Sequence, residues 1–491
     1  MTRTTNISKV TPVVGLEIHV ELATQTKMFC RCINQFGDEP NTHVCPVCMA
    51  MPGSLPVMNR QAVAFSIKVG LALGCTVPEY TKWDRKNYYY PDLPKNYQIS
   101  QYDLPLAAHG VFEIPLESGE TKAIRVLRAH LEEDAGKNIH DLPGCTGVDL
   151  NRAGVPLLEI VSEPDMNSVE EVLGYARSMQ RLVRWLGVSE ANMQMGHMRF
   201  EPNINLHIEA GGQTYKTPIV EVKNLNSFRA LERAVAYEIS RQTSEWKADP
   251  EGFTLAKLGK QNRGYDDNTE KTVFQREKEE AHDYRYFPDP DLPAVVVDEA
   301  WRESIAGDIG ELPLARRQRY MDAYRLAFQE ADALTMDAAT GDLLDAAVAV
   351  GAEPKRCVNL LLGRAAAIAK ERDCTIADLG IAAGQLAELA TMLTDSNINA
   401  TSAEIVLVTV IEDGGSPAEI AEVQGLLQVS DTGRLEVWVD EAIAENPDAV
   451  AKAREGDKKV LGFLMGQVMK KSRGAANPGE ANKLLKQKLG G

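Results

Sequence analysis

Residues 16–22 alternate without exception: Leu16, Ile18, Val20 and Leu22 are apolar, and Glu17, His19 and Glu21 between them are ionisable. Such a period of two fits a β-strand, in which successive side chains leave opposite faces, and would scatter apolar residues all round a helix. One face of this strand is fit for a core. The other carries two carboxylates and an imidazole on neighbouring positions, so whatever sheet the chain builds has a chemically loaded face.

Short strand-like runs recur at 124–131, 157–162, 204–208 and 219–222, separated by Pro- and Gly-rich turns. A helix is predicted over 168–186, with Ser168 and Glu171 at the spacing of a capping box, and another over 227–246. After the turn-rich segment 286–293, the stretch 313–400 becomes Ala/Leu-rich with helical periodicity. From 401 a third region is expected, in which Gly414-Gly-Ser-Pro417 turns between helices and Val460, Leu461, Leu464 and Val468 form one stripe. The expected class is α+β: a β-rich domain of mixed and antiparallel strands with flanking helices (1–293), an α-helical domain (294–400) and a small helical tail domain (401–491). At 491 residues the chain is long for a single core, in agreement with several domains.

The net charge of −17 argues at first against a nucleic-acid partner, but it is unevenly spread. Residues 451–491 hold ten Lys and Arg against three acids, so the tail is basic on an acidic body. No apolar run is long enough to span a bilayer and the first residues lack a signal-peptide pattern, so a cytoplasmic location and no membrane partner are expected.

Four of eight cysteines cluster as Cys30-x-Cys32-x12-Cys45-x2-Cys48. Four thiolates at that spacing can close a tetrahedral structural Zn²⁺ site with no position left for catalysis. Glu159 and Glu221 lie within apolar strand-like runs, and His130-Leu-Glu-Glu-Asp134 is densely acidic. Carboxylates in such settings need a partner. An ion pair in the core satisfies one of them, and a shared Mg²⁺ satisfies several drawn from separate strands. The stretch 83–100 mixes cations, tyrosines and prolines, which suits either a phosphate cradle or a packed surface loop. No G-x-x-x-x-G-K-[ST] motif is present, so an ATP site here is not a P-loop. Nor is there an amidase-type serine segment or a glutaminase-like cysteine elbow, so ammonia chemistry would need another chain to make the ammonia.

Several long motifs resemble the B subunit of the GatCAB tRNA-dependent amidotransferases. They are Val14-Gly-Leu-Glu-Ile-His-Val-Glu-Leu22, Asp84-Arg-Lys-Asn-Tyr-Tyr-Tyr-Pro-Asp-Leu-Pro-Lys95, Tyr97-Gln-Ile-Ser-Gln101 and His130-Leu-Glu-Glu-Asp-Ala-Gly-Lys137. The segments 149–164, 221–227 and 283–288 continue the likeness, and 466–469 with 473–478 are similar to the YqeY-like tail of that family.

The resemblance implies a cradle-shaped catalytic domain, a helical domain and a YqeY-like tRNA-binding tail. It implies a ligase that binds misacylated Glu-tRNA(Gln) or Asp-tRNA(Asn), phosphorylates the side-chain carboxylate with ATP and adds ammonia made by an amidase partner. The partners implied are the amidase (A) subunit, the small (C) subunit, and the tRNA; the cofactors are ATP and Mg²⁺, beside structural Zn²⁺. By motif, Glu17, His19, Glu133, Glu201 and Glu221 are expected at Mg²⁺. Glu132 and Glu159 are expected beside them, and Arg85, Lys86 and Lys137 at phosphate or carboxylate. Lys470, Lys471 and Arg473 are expected to meet tRNA. Where the family often reads Asn-Met-Glu-Glu-Gly and Arg-Cys-Asp-Ala-Asn, this chain has Asn192-Met-Gln-Met-Gly196 and Arg199-Phe-Glu-Pro-Asn203. Two acids are lost there, which leaves a second possibility: a tRNA-binding scaffold with a decayed kinase site.

Overall fold

The computed structural model describes residues 7–140, 142–277, 284–428, 432–454, 458–472 and 474–489. They form two compact units, residues 1–315 and 316–491. The architecture is mixed α/β, with the sheet confined to the first unit.

That sheet has nine strands: β1 (Ile7–Glu21), β2 (Ala107–Pro115), β3 (Thr121–Glu133), β4 (Pro156–Ser162), β5 (Met198–Ala210), β6 (Gln213–Lys216), β7 (Ile219–Lys223), β8 (Lys260–Asp266) and β9 (Lys271–Glu277). Their order is β9-β8-β7-β5-β1-β4-β3-β2, with β6 also paired to β5. Neighbours are antiparallel except β7 and β8, which are parallel because helix α3 (Phe228–Ala248) crosses between them. Helices α1 (Arg60–Ala72) and α2 (Val169–Trp185) share its core.

The register explains that core. Ile18 lies between Ile160 of β4 and Phe200 of β5, and Val20 lies between Leu158 and Met198. All six are essentially enclosed, together with Ile67 of α1, Met179 of α2 and Leu231 of α3. Each such side chain contributes about 1.5–3 kcal/mol. A slip of one residue would bury Glu17 and His19 there instead, so the register is strongly fixed.

Both predicted helices are found, each capped by its serine: Ser168 accepts from Glu171 N at 3.1 Å and Ser227 from Ala230 N at 3.0 Å. The box at Ser168 is only half closed. Glu171 reaches one residue further back, to Asn167 N, and also takes Lys122.

A smaller three-stranded sheet joins Asp84–Asn87 to Tyr97–Ser100 and Phe287–Pro288. The boundary expected at 293 falls inside the first unit, because the chain beyond the prolines still feeds its core. Val295 and Val297 are buried, and Ile305 of the helix Glu299–Gly307 packs into the same cluster. The second unit contains two apolar cores, one over 320–421 and one over 435–489. The boundary expected at 401 is displaced likewise: helices Ala400–Asp413 and Pro417–Val423, joined by the glycine turn, supply Ala403, Val406, Leu407 and Ala421 to the first of these cores. The stripe of the helix Lys458–Lys471 is as predicted, with Leu464 and Val468 enclosed. Among the described residues no helix is long and apolar enough to cross a membrane.

Candidate active site

With Leu16, Ile18 and Val20 committed to the core, Glu17, His19 and Glu21 must leave the opposite face of β1. The neighbouring strands extend that face. His130 of β3, Glu159 of β4, His19 of β1 and Arg199 of β5 stand in one cross-strand row. Next to it Glu17 faces Glu201 of β5, and Asn203 faces Glu221 of β7.

Within the first row His19 Nε2 is 3.5 Å from Glu159 and 4.0 Å from Glu132, and His130 Nε2 is 3.6 and 3.9 Å from the same two carboxylates. One ligand atom each of His19, Glu132 and Glu159 fall within 4.8 Å of one another, close enough to hold a metal ion. In the second row Asn203 donates to Glu17 at 2.9 Å, and Lys223 Nζ bridges Glu201 at 2.5 Å and Glu221 at 2.6 Å. Lys86, from the strand Asp84–Asn87, adds its charge to Glu132 and Glu159 and lies 5.2 Å from the Tyr284 ring centroid.

Five carboxylates (Glu17, Glu132, Glu159, Glu201 and Glu221) here meet the two ammonium groups of Lys86 and Lys223, so the cluster is short of positive charge. Burial, then the repulsion of Glu159, Glu221 and Glu201, raises the pKa of Glu17. Glu132 is also raised, chiefly by burial. Burial works against a charge on His19, but the hydrogen bond and charge of Glu159, with Glu201 and Glu132, outweigh it and push His19 up to about 9. Glu159 is held below the usual carboxylate range by His130, His19 and Lys86 in spite of its burial. Burial pushes His130 down to about 4, against the pull of the Glu159 charge. A site that gathers protons in this way is one where a divalent cation would displace them. One imidazole and two carboxylates leave coordination positions open for other oxygens.

Two family profiles match the chain. The GatB/GatE catalytic domain covers residues 12–303, and a second one, described as GatB domain, covers 342–489. The B subunit of the aspartyl/glutamyl-tRNA(Asn/Gln) amidotransferase of Anaeromyxobacter sp. (strain Fw109-5) is 46% identical over 98% of each chain. The proteins of the same name from Moorella thermoacetica and Carboxydothermus hydrogenoformans are 45% and 43% identical, over 97% of this chain and 99% and 98% of theirs. The chain belongs to the GatB family.

All the residues of the cluster lie within the GatB/GatE catalytic profile. Not every expected residue joins them. Glu133 follows Glu132 on the strand and turns away: its Oε1 accepts from Ile99 N at 2.9 Å and pairs with Lys95. Arg85 is held by Asp289 at 2.7 Å and Asp291 at 2.8 Å, beneath the Tyr97 ring, so its fork is already occupied. Lys137 lines a cleft of about 1220 Å³ together with Glu21, Arg152, Arg199 and the substituted pair Gln194 and Met195. In the GatB tail, Lys470 is exposed, whereas Lys471 is bound to Glu445 at 2.6 Å and Glu441 at 3.4 Å. Arg473 lies outside the described residues.

Several participants escaped prediction. Lys223 is two residues from Glu221 and shares its face by alternation alone, a signal available in the sequence. His130, Arg199 and Asp134 were not, since their places depend on pairings between distant strands. Asp134 is held below the usual range by Arg199 and Arg152 against its burial, while burial and Asp134 push Glu21 up to about 8.

The cysteines also meet. Cys30, Cys32, Cys45 and Cys48 place their sulfurs within 4.8 Å of one another, and those of Cys45 and Cys48 are 3.9 Å apart. Four sulfurs held tetrahedrally at ~2.3 Å from one ion would be ~3.8 Å apart, so the set fits a metal such as zinc. A hydrogen bond from Cys30 is the main cause pushing Cys48 down to about 4, with Lys27 contributing, and burial pushes Cys32 up to about 11.

Proposed function

We propose that the chain is the carboxylate-activating, tRNA-binding component of an aspartyl/glutamyl-tRNA(Asn/Gln) amidotransferase, a ligase working with an amidase partner and a small third subunit. Its cradle is the nine-stranded sheet with its helices. The observation that carries this reading is the His19–Glu132–Glu159 cluster, its two carboxylates buried and its imidazole partly so, beside Lys86 within a GatB catalytic domain.

His19, Glu132 and Glu159 would hold Mg²⁺, with Glu17, Glu201 and Glu221 shaping the charge around it and Lys86 set for a phosphate oxygen. When bound, the ion neutralises charge on the ATP phosphates during transfer. A side-chain carboxylate is a poor electrophile because its oxygen is a poor leaving group. Transfer of the γ-phosphoryl group to that oxygen gives an acyl phosphate and ADP. Ammonia then attacks the carbonyl carbon, the C–O bond breaks, phosphate leaves, and the nitrogen gives up a proton. Burial of the site limits competing attack by water. The four cysteines would hold Zn²⁺ as a structural ion.

The scaffold alternative is disfavoured, since the substitutions Gln194 and Met195 line the cleft rather than the cation cluster. The test is conversion of Glu-tRNA(Gln) with ATP and glutamine by the complex of the chain with its two partners. We expect His19→Ala and Glu132→Gln to slow conversion at least about a hundredfold while tRNA binding is retained, the loss of several kcal/mol of charge stabilisation. Wild-type turnover by both variants, or conversion without ATP, would overturn the proposal.

A further inference from the structure

Activation requires the substrate carboxylate to be held next to the cation cluster before any phosphoryl group reaches it. A free carboxylate entering a partly buried cleft needs a cation waiting there. Most cations around the site are engaged. Lys223 bridges Glu201 and Glu221, and Arg85 is clasped by Asp289 and Asp291. Arg152 donates Nε to Ala135 O at 2.9 Å and Nη2 to Gly136 O at 2.8 Å. Lys137 lies on the short strand Lys137–Ile139, outside the main sheet.

Arg199 differs from all of these. It stands directly across from His19 in the β1–β5 register and lines the 1220 Å³ cleft. Nη2 donates to the buried Asp134 at 2.5 Å, which fixes the plane of the guanidinium. Nε is enclosed and so out of a ligand's reach, whereas 31% of the side chain remains exposed where it lines the cleft. Asp134 is itself anchored, donating its N–H to Val155 O and accepting at its carbonyl from Gly154 N, both at 2.9 Å. A guanidinium oriented in advance, with part of its donor set uncommitted, suits a planar carboxylate.

We propose that Arg199, set in place by Asp134, binds the side-chain carboxylate of the aminoacyl group and so selects the acidic substrate over its amide product. The inference rests on the proposed function, and names the residue that reads the group to be activated. An amide offers no charge to the guanidinium, so the same contact lets go once nitrogen has replaced oxygen.

The test compares binding of glutamyl-tRNA(Gln), glutaminyl-tRNA(Gln) and uncharged tRNA to the complex of the chain with its two partners, with Mg²⁺ and without ATP. Wild type is expected to prefer the glutamyl form over the glutaminyl form by about ten- to hundredfold, the range of a charge-assisted contact. Arg199→Met should erase that preference while leaving affinity for uncharged tRNA as in wild type. A merely structural role would lower all three affinities together. If Arg199→Met does not assemble, Arg199→Gln, which can still hydrogen-bond Asp134, carries the same comparison. An intact preference in the variant, or no preference in wild type, overturns the inference. A wild-type complex that binds all three tRNAs yet never converts the substrate with ATP would instead reject the proposed function, so the two failures are distinguishable.

Discussion

Lys27 is fully enclosed, and its ammonium donates to two main-chain oxygens, His43 O at 2.7 Å and Leu150 O at 3.1 Å. An ammonium out of water without a counter-charge costs several kcal/mol. Four thiolates around one divalent ion carry a net negative charge, and Cys48 Cβ and Lys27 Cδ each lie 3.8 Å from where a Cβ on Gly154 would sit. Lys27→Met is therefore expected to weaken zinc retention by about ten- to a hundredfold, the usual effect of losing a partner just behind metal ligands. Zinc transfer to a chromogenic chelator measures it, and retention equal to wild type would reject the idea. At the same scale, alternation alone made Glu17 and His19 legible, and the spacing of the cysteines made their meeting legible. The choice between Glu132 and Glu133 was not. Adjacent strand residues face opposite ways, and only the pairing of β3 with β4, residues ~30 apart in sequence, says which carboxylate reaches His19.

Helix α3 is fastened to the sheet edge by a charge that its amphipathic pattern does not advertise. Glu238 is fully buried and accepts from Arg241 at 2.8 and 3.0 Å and from Gln242 at 3.1 Å, as well as from Thr272 of β9. Arg263 of β8 comes within 3.3 Å. Burial alone would raise this carboxyl, but Arg241 and the hydrogen bonds hold it below its ordinary value. A depressed folded-state pKa contributes stability that is present above the unfolded value near 4.3 and is lost as pH falls through the folded value. Glu238→Gln strands two guanidiniums and should cost about 3–5 kcal/mol at pH 7. The gap from wild type should narrow as pH drops below about 4. Calorimetry of the first unit's transition over that range checks this, and a gap independent of pH would count against the ion network. Elements with a local code, such as the serine-capped helices, were readable in advance. The displaced boundaries at 293 and 401 were not, because a proline turn or a glycine pair marks a change of direction and is silent about which core the next segment joins.

For the whole molecule, the asymmetry of charge between body and tail has to be weighed against how the tail spends it. In the last core Lys471 pairs with Glu441 and Glu445, Lys488 with Asp440 at 2.6 Å, and Lys483 with Glu480. Lys452, Lys470 and Lys486 are exposed and have no ion-pair partner among the described residues. The described part of the tail therefore offers a polyanion less basic excess than the composition suggests, and among the described side chains phosphate contacts fall first to these three. The cut that tests this belongs after Gln428, because 400–423 is part of the preceding helical core and its removal would expose Val406, Leu407 and Ala421. A chain ending there should bind tRNA more weakly and with a shallower salt dependence. If three phosphate contacts are lost, the slope of log K against log salt should fall by about 2–3, at roughly 0.7–0.9 per contact. The proposed catalytic cluster belongs to the other unit, so free ammonia should still be transferred to the aminoacyl end at saturating tRNA. An unchanged slope would mean that the tail's uncommitted lysines do not meet the nucleic acid. Loss of ammonia transfer even at saturating tRNA would mean that the tail does more than hold it.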